Sequence, residues 1–497
     1  MRKIYFILSL FTTISLTGQT IDDLYRYSGE FISGTARFQA MGGAFGALGG
    51  DVSASQINPA ASAVMTQGQF AITASIFNDK TIADFGGEQN KSNRGNIDMT
   101  QAGGAIVYES DQSNWNKIAF GLSYDLSKQF NQSVYAEGST TQGMDQFFLY
   151  FAQGIPLNDL SLFENEYIEE AYERIGIEQG YGNQQAFLGL YGGLIEADDN
   201  NPSTSSYFSN ADYDNLNQVF ELESRGRIGK YALNASAAYQ DFLYLGASVN
   251  FYDLFYERFN YITENGFSAN STIQSASFDN YLFTRGNGIN VSLGGILRIK
   301  DLFRLGLSYQ TPTIYQLTDE TSQQINSNYA FEDVRYIDYS IINLFEDYKI
   351  KTPSIFTAST AFVIGQTLLI SADYSTTDYA TAEFKDKRGI FDNENSQVAS
   401  IFQKSNTLRI GSELKLNPIS IRFGIQRQSA TQKNSNLGEM KVNSFGIGYT
   451  YGLSRIDFAL VGSSRQEQQY FFDTVLNNSA STKINNVSAV FTYTLNL

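Results

Sequence analysis

The chain has 497 residues with 34 basic and 51 acidic side chains, a formal net charge of −17, and neither cysteine nor histidine. The lack of both residue types excludes disulfides, thiolate or imidazole metal sites and Ser-His or Cys-His nucleophile pairs, so we expect no enzyme, no metal and no cofactor. The acidic balance also argues against a nucleic-acid partner, because affinity for phosphate depends on Lys and Arg.

The first eighteen residues have the organisation of an export signal. Arg2 and Lys3 precede an apolar run, 4–16, which is followed by Gly18. About thirteen apolar residues are too few to cross a hydrocarbon core roughly 30 Å thick, so residues 1–18 are predicted to be a signal peptide whose cleavage point is open by a few positions. The rest of the sequence has no apolar run long enough for a membrane helix. The expected destinations are therefore the periplasm, the exterior or an outer-membrane barrel.

Residues 19–66 follow the signal peptide and show no strand-like alternation. Their centre, residues 36–61, reads ARFQAMGGAFGALGGDVSASQINPAA. This glycine-rich run is not a phosphate-binding loop, because it lacks the Lys-Ser/Thr ending of a P-loop and the preceding strand of a dinucleotide fold. Small residues at this density instead permit close backbone packing in a confined space.

The second half of the chain repeats one unit: an alternating run, a tight turn, a second alternating run and a longer polar loop. The clearest example is residues 407–428, TLRIGSELKLNPISIRFGIQRQ, in which apolar residues alternate with polar or small ones on both sides of a central Asn-Pro turn. Alternation with a period of two predicts strands, and the short gap predicts a hairpin. In that hairpin Glu413 is predicted to lie opposite Arg422, and Ile410 opposite Ile425.

Two kinds of fold accommodate such strands. A soluble sandwich would bury the apolar face, whereas a membrane barrel turns it toward lipid and encloses the small and charged residues. Three features favour the barrel: an inner face rich in Gly, Ser and opposite charges, aromatic residues near strand ends, and connections that are short on one side and long on the other. We therefore predict that Ile410, Phe423 and Leu460 face lipid, while Arg409 and Glu413 lie inside.

Residues 67–497 are predicted to form an all-β fold, a 14-stranded antiparallel transmembrane β-barrel. The first two strands are placed at 67–76 and 99–109. Tight turns are predicted near residues 112, 240, 301, 365, 417 and 453, and the intervening loops at 77–97, 130–226, 258–282, 313–347, 380–405, 429–440 and 464–482. Six turns join twelve strands, and one strand is added at each end.

The loop 130–226 is expected to be extracellular and partly helical. Within residues 163–176, FENEYIEEAYERIG, one helical stripe would contain Tyr167, Ile168, Ala171, Tyr172 and Ile175. An aromatic cluster precedes it and consists of Phe147, Phe148, Tyr150 and Phe151. A loop of this length either forms a lid or docking surface over the mouth of the barrel, or only covers its outer end.

A barrel of about fourteen strands leaves an open channel unless something fills it, so the segment 19–66 is predicted to lie inside the lumen. Its Ala-x-Gly-Gly-Ala start and the following GGDVSASQINPAA resemble the FadL/TodX (OMPP1) family of outer-membrane transporters for hydrophobic compounds. The residues in the position of that family's N-terminal hatch motif are Gly50, Asp51, Asn58, Pro59 and Ala60. The remainder is similar by architecture alone, and the large loops, rich in Tyr and Asn, resemble Bacteroidota-type members.

The resemblance implies a route for a hydrophobic ligand: capture at the outer loops, entry into the lumen, release past the hatch and exit sideways through the wall. The candidate for a kinked strand at that exit is the third, at 115–138. The candidate ligand-lining residues are Phe45, Leu48, Phe147, Phe148, Tyr150 and Phe151.

Two functions remain open. The first is passive uptake of long-chain fatty acids or other hydrophobic compounds by a protein surrounded by outer-membrane lipid and lipopolysaccharide. The second is a FadL-like barrel that serves as a structural subunit of an outer-membrane secretion or assembly machine. In that case the hatch stays shut and the long loop binds other envelope proteins.

Overall fold

The computed structural model describes residues 21–29, 31, 33–110, 113–330, 343–344, 347–365, 367–385, 391–472 and 475–497. The predicted signal peptide lies outside the described residues. Within them, no helix is both long and apolar enough to cross a membrane.

Fourteen antiparallel strands form a closed barrel, as predicted. It closes because the first strand pairs with the last along the whole range Gln69–Asp84. The strands are β1 (Gln69–Phe85), β2 (Glu88–Glu109), β3 (Lys117–Gln129 and Gln132–Thr140), β4 (Leu216–Tyr239), β5 (Leu243–Asn265), β6 (Ala276–Ile299), β7 (Phe303–Gln310 and Ile314–Ser327), β8 (Asn343–Leu344, Tyr348–Lys351 and Ile355–Ile364), β9 (Leu368–Asp378 and Glu383–Lys385), β10 (Lys404–Leu416), β11 (Ile419–Gln428), β12 (Met440–Tyr451), β13 (Ser454–Tyr470) and β14 (Ser479–Asn496).

The helices lie at the N-terminus and in the long connections. They are α1 (Ile21–Ser28), α2 (Ala36–Ala40), α3 (Met144–Ala152), α4 (Ile168–Gln179), α5 (Tyr181–Tyr191) and α6 (Asp392–Ile401), with short 3-10 helices at Val52–Gln56, Pro59–Val64, Leu157–Leu160 and Tyr379–Thr381. A two-stranded hairpin, Ile195–Ala197 with Tyr207–Ser209, adjoins α5. The helical prediction for 163–176 is confirmed in part, since α4 begins later and buries Ala171, Tyr172 and Ile175.

The outer surface of the barrel carries the apolar residues. Ile410 is 37%, Phe423 56% and Leu460 44% exposed, whereas Glu413 is 1% exposed and faces inward. Arg409 is half-buried and donates hydrogen bonds to Gln426 and Ser375. This distribution is opposite to that of a soluble sandwich and fits a wall in contact with lipid.

The strands are longer than the sequence predicted. The first loop was expected at 77–97, but β1 and β2 continue through it to a two-residue turn at Gly86 and Gly87. The long loop was expected at 130–226, but it spans only 141–215, because both flanking stretches belong to β3 and β4. Only the outer part of β2 is polar on both faces. In the extensions of β1, β3 and β4 the apolar side chains, such as Phe85, Val134 and Leu222, face inward into the lobe core and the polar ones face outward, so the apolar face changes sides relative to the lipid-facing part of the wall.

The third strand is interrupted, as the sequence suggested. Its ladder with β4 has an irregularity between Leu126 and Lys128, and the strand resumes at Gln132. Its backbone ladder with β2 covers only Gln101–Glu109. Farther out, side chains join the two strands, for example Ser92 Oγ, which donates to the carbonyl of Ser133 at 2.6 Å.

Candidate functional site

Residues 33–65, here called the inner segment, lie inside the barrel. Almost every residue of this range is buried, and its apolar side chains form a small core of their own. Phe38 and Phe45 pack with ring centres 5.3 Å apart, next to Ala361 and Leu369 of the wall. The density of Gly and Ala permits this approach. At Gly424 of β11, for example, a Cβ atom would collide with the backbone of Gly42.

Asn58 attaches the inner segment to one side of the wall. Its Nδ2 donates to the carbonyl oxygens of Gly46 at 2.7 Å, Gly295 at 3.1 Å and Leu307 at 3.4 Å. Its Oδ1 accepts the backbone N–H of Ala60 and thereby caps the short helix that begins at Pro59. One side chain therefore joins the inner segment to two strands, β6 and β7.

Charged residues attach the inner segment to the opposite side. Arg37 of α2 makes an ion pair with Glu413 of β10 at 2.7 Å, and the same carboxylate contacts Arg422 of β11 at 2.7 Å. Asp51 accepts a hydrogen bond from Thr35 at 2.8 Å. The pair Glu413 and Arg422 is the cross-strand pair that the hairpin pattern predicted, and it is confirmed.

A polar cavity of about 130 Å³ lies in the lumen beside α1. Four cationic side chains line it: Arg26, Lys128, Arg258 and Arg465, against one acidic residue, Glu467. Aromatic rings of Tyr25, Phe130 and Tyr256 line it as well. The cavity therefore has a positively charged lining, although the chain as a whole has a net charge of −17.

The cations of this cavity differ in how their charge is compensated. Arg26 pairs with Asp23 and lies over the ring of Tyr256 at 4.7 Å, and Arg465 pairs with Glu467 at 2.8 Å. Lys128 donates to the carbonyl of Arg26 at 2.7 Å. The Nε atom of Arg258 is buried and has no hydrogen-bond partner among the described residues. Arg258 is thus the guanidinium that is best placed to receive an anion.

The external part of the chain, residues 141–215, forms a helical lobe over the barrel. Phe147 and Phe148 are buried in its core, where Phe147 contacts Phe278 and Phe472 with ring centres 6.2 and 5.4 Å away. Tyr150 is 63% exposed on its surface. Leu222 lines both this core and the cationic cavity, so the two regions adjoin.

The structure separates the predicted lining residues into two groups. Phe45 and Leu48 belong to the core of the inner segment, while Phe147, Phe148 and Phe151 belong to the lobe. They do not form one shared pocket. The cations of the cavity were not singled out from the sequence, because α1, β3, β5 and β13 each contribute a single one and only the barrel brings them together.

Buried acidic groups attach the lobe to the rim of the barrel. Glu264, near the outer end of β5 and well beyond the apolar residues Leu245 to Phe251, accepts hydrogen bonds from Gln218 at 2.5 Å and from the N–H of Met144 at 2.8 Å. Burial, reinforced by the nearby Asp145 carboxylate, raises the pKa of Glu264 to about 8. Burial and the same carboxylate also raise the pKa of the Tyr213 hydroxyl, which donates to Asp145 at 2.7 Å.

One part of the wall is thin and apolar. A groove of about 660 Å³ on the outer surface runs over β1 to β4, with Gly103, Gly104 and Gly121 in its floor and Phe120 and Leu122 at its sides. A small internal cavity beside the inner segment shares Gly104 and Gly121 with that groove. The two cavities also share Ala105, Leu122 and Ser123, so mostly small residues separate the lumen from the outer surface at this point. Among the described residues, no cluster of three or more acidic side chains suited to a metal ion occurs.

Solved structures with a similar fold are membrane channels. The toluene transporter TodX of Pseudomonas putida superposes with a TM-score of 0.53 at 14% identity and covers 94% of this chain and 99% of its own. A FadL homologue of Pseudomonas aeruginosa gives 0.51 at 12% identity, with coverage of 94% and 98%. No protein-family model and no curated protein sequence matches the chain. The resemblance seen in the sequence is confirmed in the architecture: the chain has the fold of the FadL and TodX channels.

Proposed function

We propose that the protein is an outer-membrane channel for the passive uptake of long-chain fatty acids and related hydrophobic carboxylates. The observation that carries this proposal is the cationic, aromatic cavity beside α1, which adjoins the apolar core of the external lobe. A fatty acid needs both environments, a charged partner for its carboxylate and an apolar surface for its chain.

Capture begins at the external lobe. Its surface exposes large apolar side chains, among them Tyr150, Phe163 and Ile177. Apolar groups in this position remove a lipophilic molecule from water before it enters the barrel. The lobe also covers the mouth, so a captured molecule remains next to the entrance.

The carboxylate then binds in the cationic cavity. A bidentate contact with the Arg258 guanidinium satisfies the buried Nε atom, and Lys128 and Arg465 add attraction in a site partly shielded from water. A neutral hydrocarbon gains nothing from these groups. The cavity therefore supports a preference for an anionic amphiphile over an alkane or an arene.

Release passes the inner segment, which we propose acts as the hatch, and ends at the thin part of the wall. Glycines in adjacent strands leave little side-chain volume between lumen and lipid, and the outer groove there is lined almost wholly by apolar residues. A molecule that leaves through this wall enters the bilayer, where lipid and lipopolysaccharide surround the apolar outer face.

Uptake of labelled oleate in a deletion strain tests the proposal. Complementation with the wild-type gene should restore uptake, and Arg258→Met should lower oleate uptake about tenfold, the loss expected for one charge-assisted hydrogen bond, while leaving the neutral analogue oleyl alcohol unaffected. Arg225→Met, on the exposed outer face of β4, is the matched control. Unchanged uptake of a range of lipophiles in the deletion strain would contradict the proposal.

A further inference from the structure

Six charges close into a ring across the boundary between the inner segment and the wall. Five of them are buried, and the sixth, Arg455, has 14% of its side chain exposed. In order around the ring they are Asp51, Arg37, Glu413, Arg422, Asp457 and Arg455. The successive N···O separations are 3.7, 2.7, 2.7, 2.7 and 2.6 Å, and 3.8 Å from Arg455 back to Asp51. Acidic and basic members alternate without exception, so every charge has an opposite neighbour on both sides.

The ring joins the inner segment to the wall of the barrel. Asp51 and Arg37 belong to the inner segment, whereas the other four members belong to β10, β11 and β13 of the wall. Among the described residues, the one ion pair shorter than 3 Å between the two parts is that of Arg37 with Glu413. Asp51 closes the ring at longer distance and is held in place by Thr35.

Burial makes this arrangement hard to open. The side chains of Asp51, Arg422 and Asp457 are completely buried, and those of Glu413 and Arg37 nearly so. A buried charge that loses its partner retains the full cost of removal from water. Displacement of the segment would therefore leave unpaired charges both on the segment and on the wall. The ring as a whole is neutral, with three basic and three acidic members.

The segment is also held on the far side of the lumen. Besides the contacts of Asn58, the hydroxyl of Ser62 hydrogen-bonds to Asn234 and lies 2.7 Å from the hydroxyl of Ser236, both on β4. The inner segment is thus fastened to β10, β11 and β13 through the ring and to β4, β6 and β7 through Asn58 and Ser62. A segment attached at both ends does not swing out about a single hinge.

We propose that the six-charge ring locks the inner segment in the lumen throughout transport, so that cargo passes beside a seated segment and ions and polar solutes are excluded. The part of this inference that concerns cargo rests on the proposed function, whereas the exclusion of ions does not.

Conductance in planar bilayers tests the lock. Arg37→Met combined with Glu413→Met removes one charge of each sign, keeps the ring neutral and deletes its close link between segment and wall. We expect this double variant to fold, shown by its heat-modifiable migration on gels, and to conduct ions at least tenfold more than the wild type. Glu166→Met with Arg174→Met, which removes a 2.6 Å ion pair of the external lobe, is the matched control and should stay closed. A folded double variant that conducts no more than the wild type would overturn the proposal.

An engineered disulfide distinguishes two causes of increased conductance, displacement of the inner segment and damage to the wall. The chain has no cysteine, so Ser62→Cys with Ser236→Cys introduces one defined pair. In the Arg37→Met, Glu413→Met background, oxidation should restore the closed state and reduction should reopen it. Conductance that persists after oxidation would place the leak in the wall and contradict the lock.

The same disulfide in the otherwise unaltered chain tests whether cargo passes a seated segment. Oxidised protein should take up oleate at the rate of reduced protein, and a loss of uptake on oxidation would show that the segment must move. If the wild type takes up no oleate at all, the proposed function fails, while the conductance measurements still decide the lock.

Discussion

Arg37 and Glu413 are 376 positions apart in the chain, and their guanidinium and carboxylate groups make three hydrogen bonds of 2.7 to 3.2 Å. The contact connects a short helix in the lumen with a strand of the wall. Because Glu413 also binds its cross-strand neighbour Arg422, one hairpin of the barrel serves as the support for the segment inside it.

Removal of one member of the ring should destabilise the folded protein strongly. Arg422→Met leaves Glu413 and Asp457 buried without their shared cation, so the free energy of unfolding should fall by about 3–5 kcal/mol. Arg285→Met, which removes an exposed contact of 3.3 Å with Glu320, should cost about 0–1 kcal/mol. Urea unfolding of the barrel reconstituted in lipid measures both. Equal losses of unfolding free energy in the two variants would mean that burial does not make the ring more stabilising than an exposed ion pair.

A single methyl group should weaken the Asn58 attachment. In Gly294→Ala the new Cβ atom overlaps the side-chain oxygen of Asn58, whereas in the adjacent Gly295→Ala its nearest neighbour is a Leu245 methyl carbon 3.4 Å away. We expect Gly294→Ala to lower the free energy of unfolding by about 1–3 kcal/mol, the usual cost of overpacking, and Gly295→Ala to change it little. The same urea titration compares the two variants. If Gly294→Ala left the free energy of unfolding unchanged, it would refute close contact between this strand and Asn58.

The attachment of the external lobe should weaken as the pH rises. Glu264 has its pKa raised from 4.5 to about 8, so the folded state holds a proton that the unfolded state has released between these pH values. Stability from this group is therefore complete below pH 4.5 and is lost as the pH rises through about 8. Proteolysis within 141–215 should be faster at pH 9 than at pH 6. Glu264→Gln, which cannot ionise, should remove this part of the dependence, and an unaltered pH profile in that variant would exclude Glu264 as its source.

Two neighbouring aromatics of the lobe should respond differently to truncation. Phe148 is completely buried, and Phe148→Ala should cost about 3–5 kcal/mol of local stability, visible as faster proteolysis of the lobe. Tyr150 is mostly exposed, so Tyr150→Ala should change stability by no more than about 0.5 kcal/mol. If Tyr150 belongs to the capture surface, that variant should nevertheless lower oleate uptake. Unchanged uptake would remove it from that surface.

The sequence was most informative where one face of a strand is apolar. The alternation in residues 407–428 predicted the pairing of Glu413 with Arg422 and the outward position of Phe423, and both are confirmed. It failed at 77–97, because there the β2 half of the hairpin is polar on both faces, and the apolar residues of the β1 half, such as Phe85, face inward instead of toward lipid. A pattern of hydrophobicity marks a strand only where its two sides meet different environments.

The candidate site was only partly accessible from the sequence. The hatch motif drew attention to Asp51 and Asn58, and both prove to be points of attachment. The partners of Asp51 could not be predicted, because Arg455 reaches it through the register of a closed barrel and not through any local spacing. The same holds for the cationic cavity, whose lining comes from strands distant in sequence.

Photolabelling shows whether the lumen binds the carboxylate end of a fatty acid. A palmitate analogue with a photoreactive diazirine close to its carboxyl group would be added to the purified, lipid-embedded protein, irradiated and mapped by peptide mass spectrometry. We expect labels on the peptides that contain Lys128, Arg258 and Arg465, and we expect these labels to be lost in Arg258→Met. Labels confined to the external lobe or to the lipid-facing surface, with none on those three peptides, would contradict this expectation.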